Sequence, residues 1–262
     1  MIATIKYWLD RVWRTFGTGV CFACFFSGGL LESVTIFPIL YAWPGSRRQK
    51  CQRVRHVLQQ TFRFFVWLMN VFGVIKVKLH NAELLQQARG CIVIANHPTL
   101  IDVVILMSLV PRPNGVVKGD LWRNFYLKRV LNAAGFISNA DGETMLKGCE
   151  ESLAAGDAIV IFPEGSRSVP GEPLQFKRGV ANIAVRTDAP LLTVFITCEP
   201  TTLIKGEAWY EIPPRQSVID VYVHEWLQPQ QLAPRYNDKP AAARQLTSNL
   251  QQYFEKGLEN YG

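Results

Sequence analysis

Apolar positions change their period along this chain, and the changes divide it into parts. Residues 1 to 16 set Ile5, Trp8, Leu9, Val12, Trp13 and Phe16 among Lys6, Arg11 and Arg14. That is the pattern of an amphipathic helix lying on a membrane, with tryptophans at the interface. From Gly17 to Trp43 the chain is almost wholly apolar, broken by Gly28-Gly29, Glu32 and Pro38 and closed by Tyr41 and Trp43. The stretch exceeds the roughly 20 residues a bilayer crossing needs. Basic residues flank it on both sides (Lys6, Arg11 and Arg14 before; Arg47, Arg48, Lys50, Arg53 and Arg55 after), so the charge rule assigns no orientation. A single crossing and a re-entrant hairpin with both ends cytoplasmic both fit. A cleaved signal peptide fits less well, because no small-residue cleavage site follows in register. After the basic stretch 44–55, Phe62, Phe64, Phe65, Trp67, Leu68, Met69, Val71 and Phe72 predict a second helix. It is either a core helix or a partner for the first apolar segment.

Beyond residue 73 short apolar runs alternate with helical patterns. Strands are expected at 74–79, 91–95, 116–118, 158–162, 191–197 and 218–224. Helices are expected after Pro98 and at 121–131, 143–155, 179–186 and 239–256. This alternation predicts an α/β domain with a mixed, mostly parallel sheet flanked by helices, preceded by the N-terminal helical membrane-associating segment. The expected division is residues 1–60, membrane-associating helices and basic segment, and 61–262, the α/β domain. Active sites in such sheets gather where strands end and helices begin.

At 262 residues the chain has room for one sizeable core and not for two separate enzymatic domains. Its net charge of +7 suits an anionic membrane surface, an acidic protein partner or nucleic acid. No nucleic-acid recognition motif is present, and the basic residues cluster beside apolar segments, which argues against nucleic acid. The six cysteines, at 21, 24, 51, 91, 149 and 198, lie in or beside apolar runs without paired metal-ligand spacing, apart from Cys21 and Cys24, whose neighbourhood lacks the two further ligands a metal would need. They read as reduced thiols, and no metal site is expected.

Two strand-to-loop junctions carry the candidate chemistry. In the first, Cys91 to Ala95 runs into Asn96-His97-Pro98-Thr99-Leu100-Ile101-Asp102. Five positions along a continuous helix would put His97 and Asp102 on different faces, so they can meet only if His97 lies outside the helix. Pro98 supports that, being favoured at a first helical position and excluding helical geometry from the residue before it. Asp102 could then fix the imidazole's tautomer and support its protonated form. In the second junction, Ile159 to Phe162 runs into Pro163-Glu164-Gly165-Ser166-Arg167-Ser168. Here a glycine allows close backbone approach, a guanidinium offers a planar fork to phosphate, and hydroxyls add donors. His56, His80 and His224 have no carboxylate in a matching turn and read as structural or exposed.

Together, Asn96-His97 with Asp102 and Phe162-Pro163-Glu164-Gly165-Ser166-Arg167-Ser168 resemble the lysophospholipid acyltransferase superfamily, which includes the 1-acylglycerol-3-phosphate acyltransferases. Weaker blocks agree: Lys118 to Ser138 with Gly135-Phe136-Ile137, Phe176-Lys177-Arg178-Gly179, and Ala189-Pro190-Leu191-Leu192-Thr193-Val194. The resemblance covers roughly residues 60 to 225. It implies a membrane-bound O-acyltransferase in which His97 is the general base and Asp102 orients it. Glu164, Gly165, Ser166 and Arg167, with Lys118 and Asn139, would form the acceptor site. It implies no cofactor; the acyl donor would be an acyl carrier protein or coenzyme A thioester, and the acceptor a lipid hydroxyl. The place would be the cytoplasmic face of the inner membrane. One position departs from the family's pattern. The second block usually ends in an arginine that helps to bind acceptor phosphate, and Asn139 stands there, an amide that donates hydrogen bonds without charge. The expected acceptor is therefore a lysophospholipid or hydroxylated lipid other than lysophosphatidate.

Overall fold

A computed structural model describes residues 2–233 and 238–261. The first part of the chain is helical throughout: α1 (Ile2–Val34), α2 (Ile36–Ala42) and α3 (Arg47–Val71). The two expected N-terminal pieces form one helix, because neither Gly17 nor Gly28-Gly29 breaks it and the turn falls at Thr35. Helix α3 starts earlier than the apolar run suggests. Ser46 and Gln49 form a reciprocal capping box at its start, so the basic stretch is helical and α3 passes without a break through residue 60. Against α3, α1 packs an aromatic seam, with Phe25 on Phe65 at 4.7 Å and Phe22 on Phe65 at 5.8 Å between ring centroids. The other side of α1 and α2 leaves Trp8, Leu9, Val12, Phe16, Phe26, Leu31, Ile39 and Trp43 exposed. Residues Thr4–Ala42 are long and apolar enough to cross a membrane by length and composition, and little of that stretch is buried.

Seven strands follow: β1 (Ile75–His80), β2 (Ile92–Ala95), β3 (Pro113–Val117), β4 (Ile137–Ser138), β5 (Ala158–Ile161), β6 (Leu191–Glu199) and β7 (Ser217–Leu227). Their order in the sheet is β1-β7-β6-β2-β5-β3-β4. All neighbours are parallel except the β6–β7 pair. The helices between and after them are α4 (Asp102–Leu109), α5 (Phe125–Ala134), α6 (Gly142–Ala154), α7 (Gly179–Thr187), α8 (Pro229–Leu232) and α9 (Lys239–Glu259).

The central strands are apolar on both faces, as a doubly covered parallel sheet requires. Alternate residues sort into two cores. Val93, Ala95, Val160, Leu192 and Val194 join Phe65, Met69, Ile105 and Leu106 beneath α3 and α4. Ile92, Ile94, Ile159, Ile161 and Leu191 join Val180, Ile183, Leu246, Leu250 and Phe254 beneath α7 and α9. A smaller cluster of Phe37, Val54, Leu58 and Ala134 ties α2, α3 and α5 together. Gly135, at the end of α5, takes φ +66°, and a Cβ there would sit 2.9 Å from the Cys51 sulfur, so both backbone geometry and packing demand glycine.

From β2 the chain crosses through α4 toward β3, on one side; from β5 it crosses through α7 to β6, on the other. The carboxyl ends of the adjacent β2 and β5 therefore form the switch point where α/β sheets place their ligands.

Candidate active site

Both sequence-predicted junctions lie at that switch point. Past Ala95, Asn96 is buried, and its side chain extends the ladder to β6 by donating to the Ile196 carbonyl at 2.7 Å and accepting from the Ile196 amide at 2.8 Å. This fixes the direction in which His97 leaves the sheet. His97 lies outside the helix, as its spacing from Asp102 requires, but α4 begins at Asp102 and not at Pro98. Residues 98–101 make a turn instead, and its reason is Thr99. The Thr99 amide donates to Asp102 Oδ2 at 2.6 Å and its hydroxyl to Oδ1 at 2.5 Å. That local capture competes with helical geometry at 98–101.

Asp102 is fully buried, and its Oδ2 lies 2.9 Å from His97 Nδ1. Burial pushes the Asp102 carboxyl above its ordinary range, opposed by the hydrogen bonds and charge of His97 and by the Thr99 donors. With Nδ1 committed to Asp102, Nε2 is the nitrogen left for substrate, and His97 keeps 15% of its side-chain surface. The imidazole stacks on Phe162 with ring centroids 4.2 Å apart, so its plane is set by an aromatic face as well as by a carboxylate.

The second junction is locked to the first in both directions. Glu164 Oε1 accepts from the His97 amide at 3.0 Å and from the Ser168 hydroxyl at 2.9 Å, while the Ser168 amide donates to the His97 carbonyl at 2.7 Å. Glu164 is nearly buried, and burial pushes its carboxyl up, opposed chiefly by the Ser168 and His97 hydrogen bonds. Gly165 takes φ +66°, the left-handed turn that brings backbone beside the histidine, and the Lys177 side chain lies over it. Arg167 spends Nη1 on the Leu203 and Ile204 carbonyls at 2.9 and 2.7 Å, which ties the 200–216 loop to the site. Its Nε and Nη2 have no partner among the described residues. Ser166 is half-buried beside it.

Lys118 and Asn139 lie at the same end of the sheet, exposed, just after β3 and β4. Asn139 Oδ1 accepts from the Gly119 amide at 3.0 Å, and the Asn139 amide donates to the Val117 carbonyl at 3.0 Å. The residue in the arginine's place thus holds the turn that follows Lys118. Sequence reasoning missed Thr99, Phe162 and the ladder role of Asn96. A threonine between Pro98 and an aspartate three residues further on was the one available signal, because short hydroxyl side chains capture nearby polar groups at helix starts.

Residues 76–197 match the family model described as Acyltransferase. That match covers a little under half of the chain. It is 28% identical over 185 residues to a 1-acyl-sn-glycerol-3-phosphate acyltransferase of Cocos nucifera, covering 67% of this chain and 57% of that protein. The beta form from Homo sapiens is 27% identical over 146 residues, half of each chain. The protein of that name from Pseudomonas aeruginosa is 26% identical over 153 residues, covering 54% of this chain and 57% of the relative. The chain thus spans little more than half the length of these relatives. A crystal structure of the 1-acyl-sn-glycerophosphate acyltransferase from Thermotoga maritima superposes with a TM-score of 0.63 over 98% of this chain and 97% of that one. At 20% identity that likeness speaks to the fold, which is shared from the N-terminal helices to α9.

Proposed function

We propose that this chain is an acyltransferase that moves a fatty acyl group from a thioester, of acyl carrier protein or coenzyme A, to a hydroxyl of a lysophospholipid or related lipid, with His97 as general base. The observation that carries the reading is the His97–Asp102 pair, because it combines a buried orienting carboxylate with a partly exposed imidazole whose Nε2 has no partner among the described residues. His97 Nε2 takes the proton of the acceptor hydroxyl as its oxygen attacks the thioester carbonyl carbon. Asp102 stabilises the imidazolium so formed without itself taking the proton. The new C–O bond forms, the C–S bond breaks, and the departing thiolate takes the proton back from His97. No acyl-enzyme intermediate is required.

Lys118 and the free nitrogens of Arg167 supply positive charge for an acceptor phosphate, and the Gly165 turn lets backbone approach it. Glu164 keeps the two loops in register. With Asn139 neutral and bound to Gly119, the acceptor site carries one charge fewer than the family pattern supplies, which favours an acceptor less anionic than lysophosphatidate. The exposed apolar side of α1 and α2 holds the protein on a membrane, the cytoplasmic face of the inner membrane in this reading, where soluble thioester donors meet lipid acceptors.

The test is acyl transfer by the purified chain against a panel of lysolipids with both thioester donors, read by mass spectrometry. His97→Ala should abolish turnover while leaving the melting temperature and membrane association intact. Normal turnover by that variant would sink the assignment, and a preference for lysophosphatidate over every other acceptor would sink the reading of Asn139.

A further inference from the structure

The opposite end of the sheet holds a second constellation that the transfer reaction does not use. Asp157 immediately precedes β5, whereas Glu164 follows it, so the two ends lie roughly 20 Å apart at strand rise. Asp157 is buried and accepts from Arg55 Nη2 at 2.9 Å, Arg112 Nη2 at 3.1 Å, the Ser152 hydroxyl at 3.1 Å and Gln52 Nε2 at 3.4 Å. One carboxylate thus serves two guanidiniums, and its own acceptor capacity is full. Arg55 is 5% exposed, and its Nε and Nη1 are buried with no hydrogen-bond partner among the described residues. A buried charged donor without an acceptor is costly.

Arg55 and Arg112 line a cleft. A space of about 70 Å³ is lined by Gln52, Arg55, His56, Gln59, Arg112 and Pro113. Gln52 and His56 also line a wide, open outer depression of about 450 Å³, together with Leu40, Gln49, Arg53 and Val57. The charge around it is one-sided. Helix α3 carries Arg47, Arg48, Lys50, Arg53, Arg55 and Arg63 and no Asp or Glu. Its one ion pair among the described residues is Arg55 with Asp157. Arg53 and Lys50 reach only carbonyls, of Trp43, Pro44 and Tyr41. The outer depression opens beside α2, whose Ile39 and the following Trp43 are exposed.

We infer that the Arg55–Arg112 cleft is a non-catalytic anion site that takes a phosphate group, and that its apolar outer compartment fits the phosphate of an anionic phospholipid. The inner space accommodates a phosphate beside the Arg55 and Arg112 guanidiniums, and Leu40 and Val57 cover the start of the lipid's apolar part. Basic pockets between membrane-associated helices recognise anionic head groups by this combination. The inference stands apart from the reading of His97, and His97→Ala protein should bind the anion as the unaltered chain does.

The experiment titrates the full chain in mild detergent with phosphatidylglycerol, phosphatidylcholine or inorganic phosphate. Bound lipid is counted by native mass spectrometry, and thermal unfolding is followed alongside. Phosphatidylglycerol should be retained in preference to phosphatidylcholine. Inorganic phosphate should compete for the cleft only weakly; equal binding by inorganic phosphate alone would assign the site to a soluble phosphate compound and overturn the lipid source. Arg53→Gln with Arg112→Gln should weaken phosphatidylglycerol about tenfold or more, since each removes a charged donor. Gln49→Glu preserves the fold, because glutamate suits the capping box with Ser46 and pairs with Arg53, yet it places negative charge in the outer depression. It should weaken the lipid without lowering the melting temperature. Unchanged lipid retention in both altered proteins, or equal retention of phosphatidylcholine, would overturn the inference.

Discussion

Asp102 and Asp157 are both buried aspartates, set at opposite ends of one sheet, and their partners make them different devices. Asp102 faces an imidazole and the two donors of one threonine. Its partner is an imidazole, the side-chain type that most often serves as general acid and base, so the pair can hold and release a proton while the carboxylate keeps the ring in place. Asp157 faces two guanidiniums, a side-chain type that serves proteins as a fixed positive charge and not as a proton carrier. That pair cannot move a proton. It fixes positive charge at the start of β5 and ties α3 to the sheet. Burial of a carboxylate therefore does not mark a catalytic site by itself; the type of group it orients, and whether that group has a free atom facing open space, separates the two.

Replacing each aspartate by asparagine tests the contrast. Asp102→Asn should lower turnover by a factor of about 10²–10⁴, the range of general-base contributions, because the amide no longer stabilises an imidazolium or enforces the tautomer. Steady-state acyl transfer by the purified, folded variant measures it. Asp157→Asn should leave turnover per folded molecule near normal and instead cost about 3 kcal/mol of stability, since it strands the buried Arg55 guanidinium. Chemical denaturation in detergent reads that loss. Equal effects of both substitutions on turnover would erase the distinction.

Much of this arrangement was legible in the sequence, and the reasons differ from residue to residue. The strands of the core show because both faces are buried, so Ile92 to Ala95 and Ala158 to Ile161 are unbroken apolar runs. The meeting of His97 with Asp102 follows from a spacing that a helix forbids and a turn allows. The turn itself was hidden, because proline statistics favour a helix starting at Pro98 while the outcome depends on where the Thr99 hydroxyl finds an acceptor. The N-terminal break expected at Gly17 fails for a similar reason: tertiary packing of α1 against α3 outweighs the helix cost of a glycine, about 1 kcal/mol. The Arg55–Asp157 pair was invisible, because two residues separated by 102 positions carry no mutual signal in one sequence.

Thr99→Val keeps the shape of the turn and removes the hydroxyl that holds Asp102 Oδ1. The loss of a hydrogen bond to a charged group, about 1.5–3 kcal/mol, should be divided between stability and a reduction in turnover of tenfold or less. Thermal unfolding and steady-state kinetics on one preparation separate the two. A loss in stability alone would mean that His97 and the buried amide donor suffice to hold the carboxylate.

Glu164→Gln should have the smallest effect near neutral pH, because the amide oxygen can still accept from the His97 amide and the Ser168 hydroxyl. Its value lies in the pH dependence. Burial raises the folded-state pKa of Glu164 above the unfolded value of about 4.3, so the folded chain holds the proton more readily than the unfolded one. The stability contributed by that proton is fully present below the unfolded pKa and is lost as pH rises through the folded value. The glutamine variant has no such proton to lose. The melting temperature of the unaltered chain relative to Glu164→Gln should therefore fall as pH rises from the acid side, then level off once Glu164 is ionised in both states. A difference independent of pH would show that the donors at His97 and Ser168 offset the burial of Glu164 in full, and the loop would then be held by an anion at no cost.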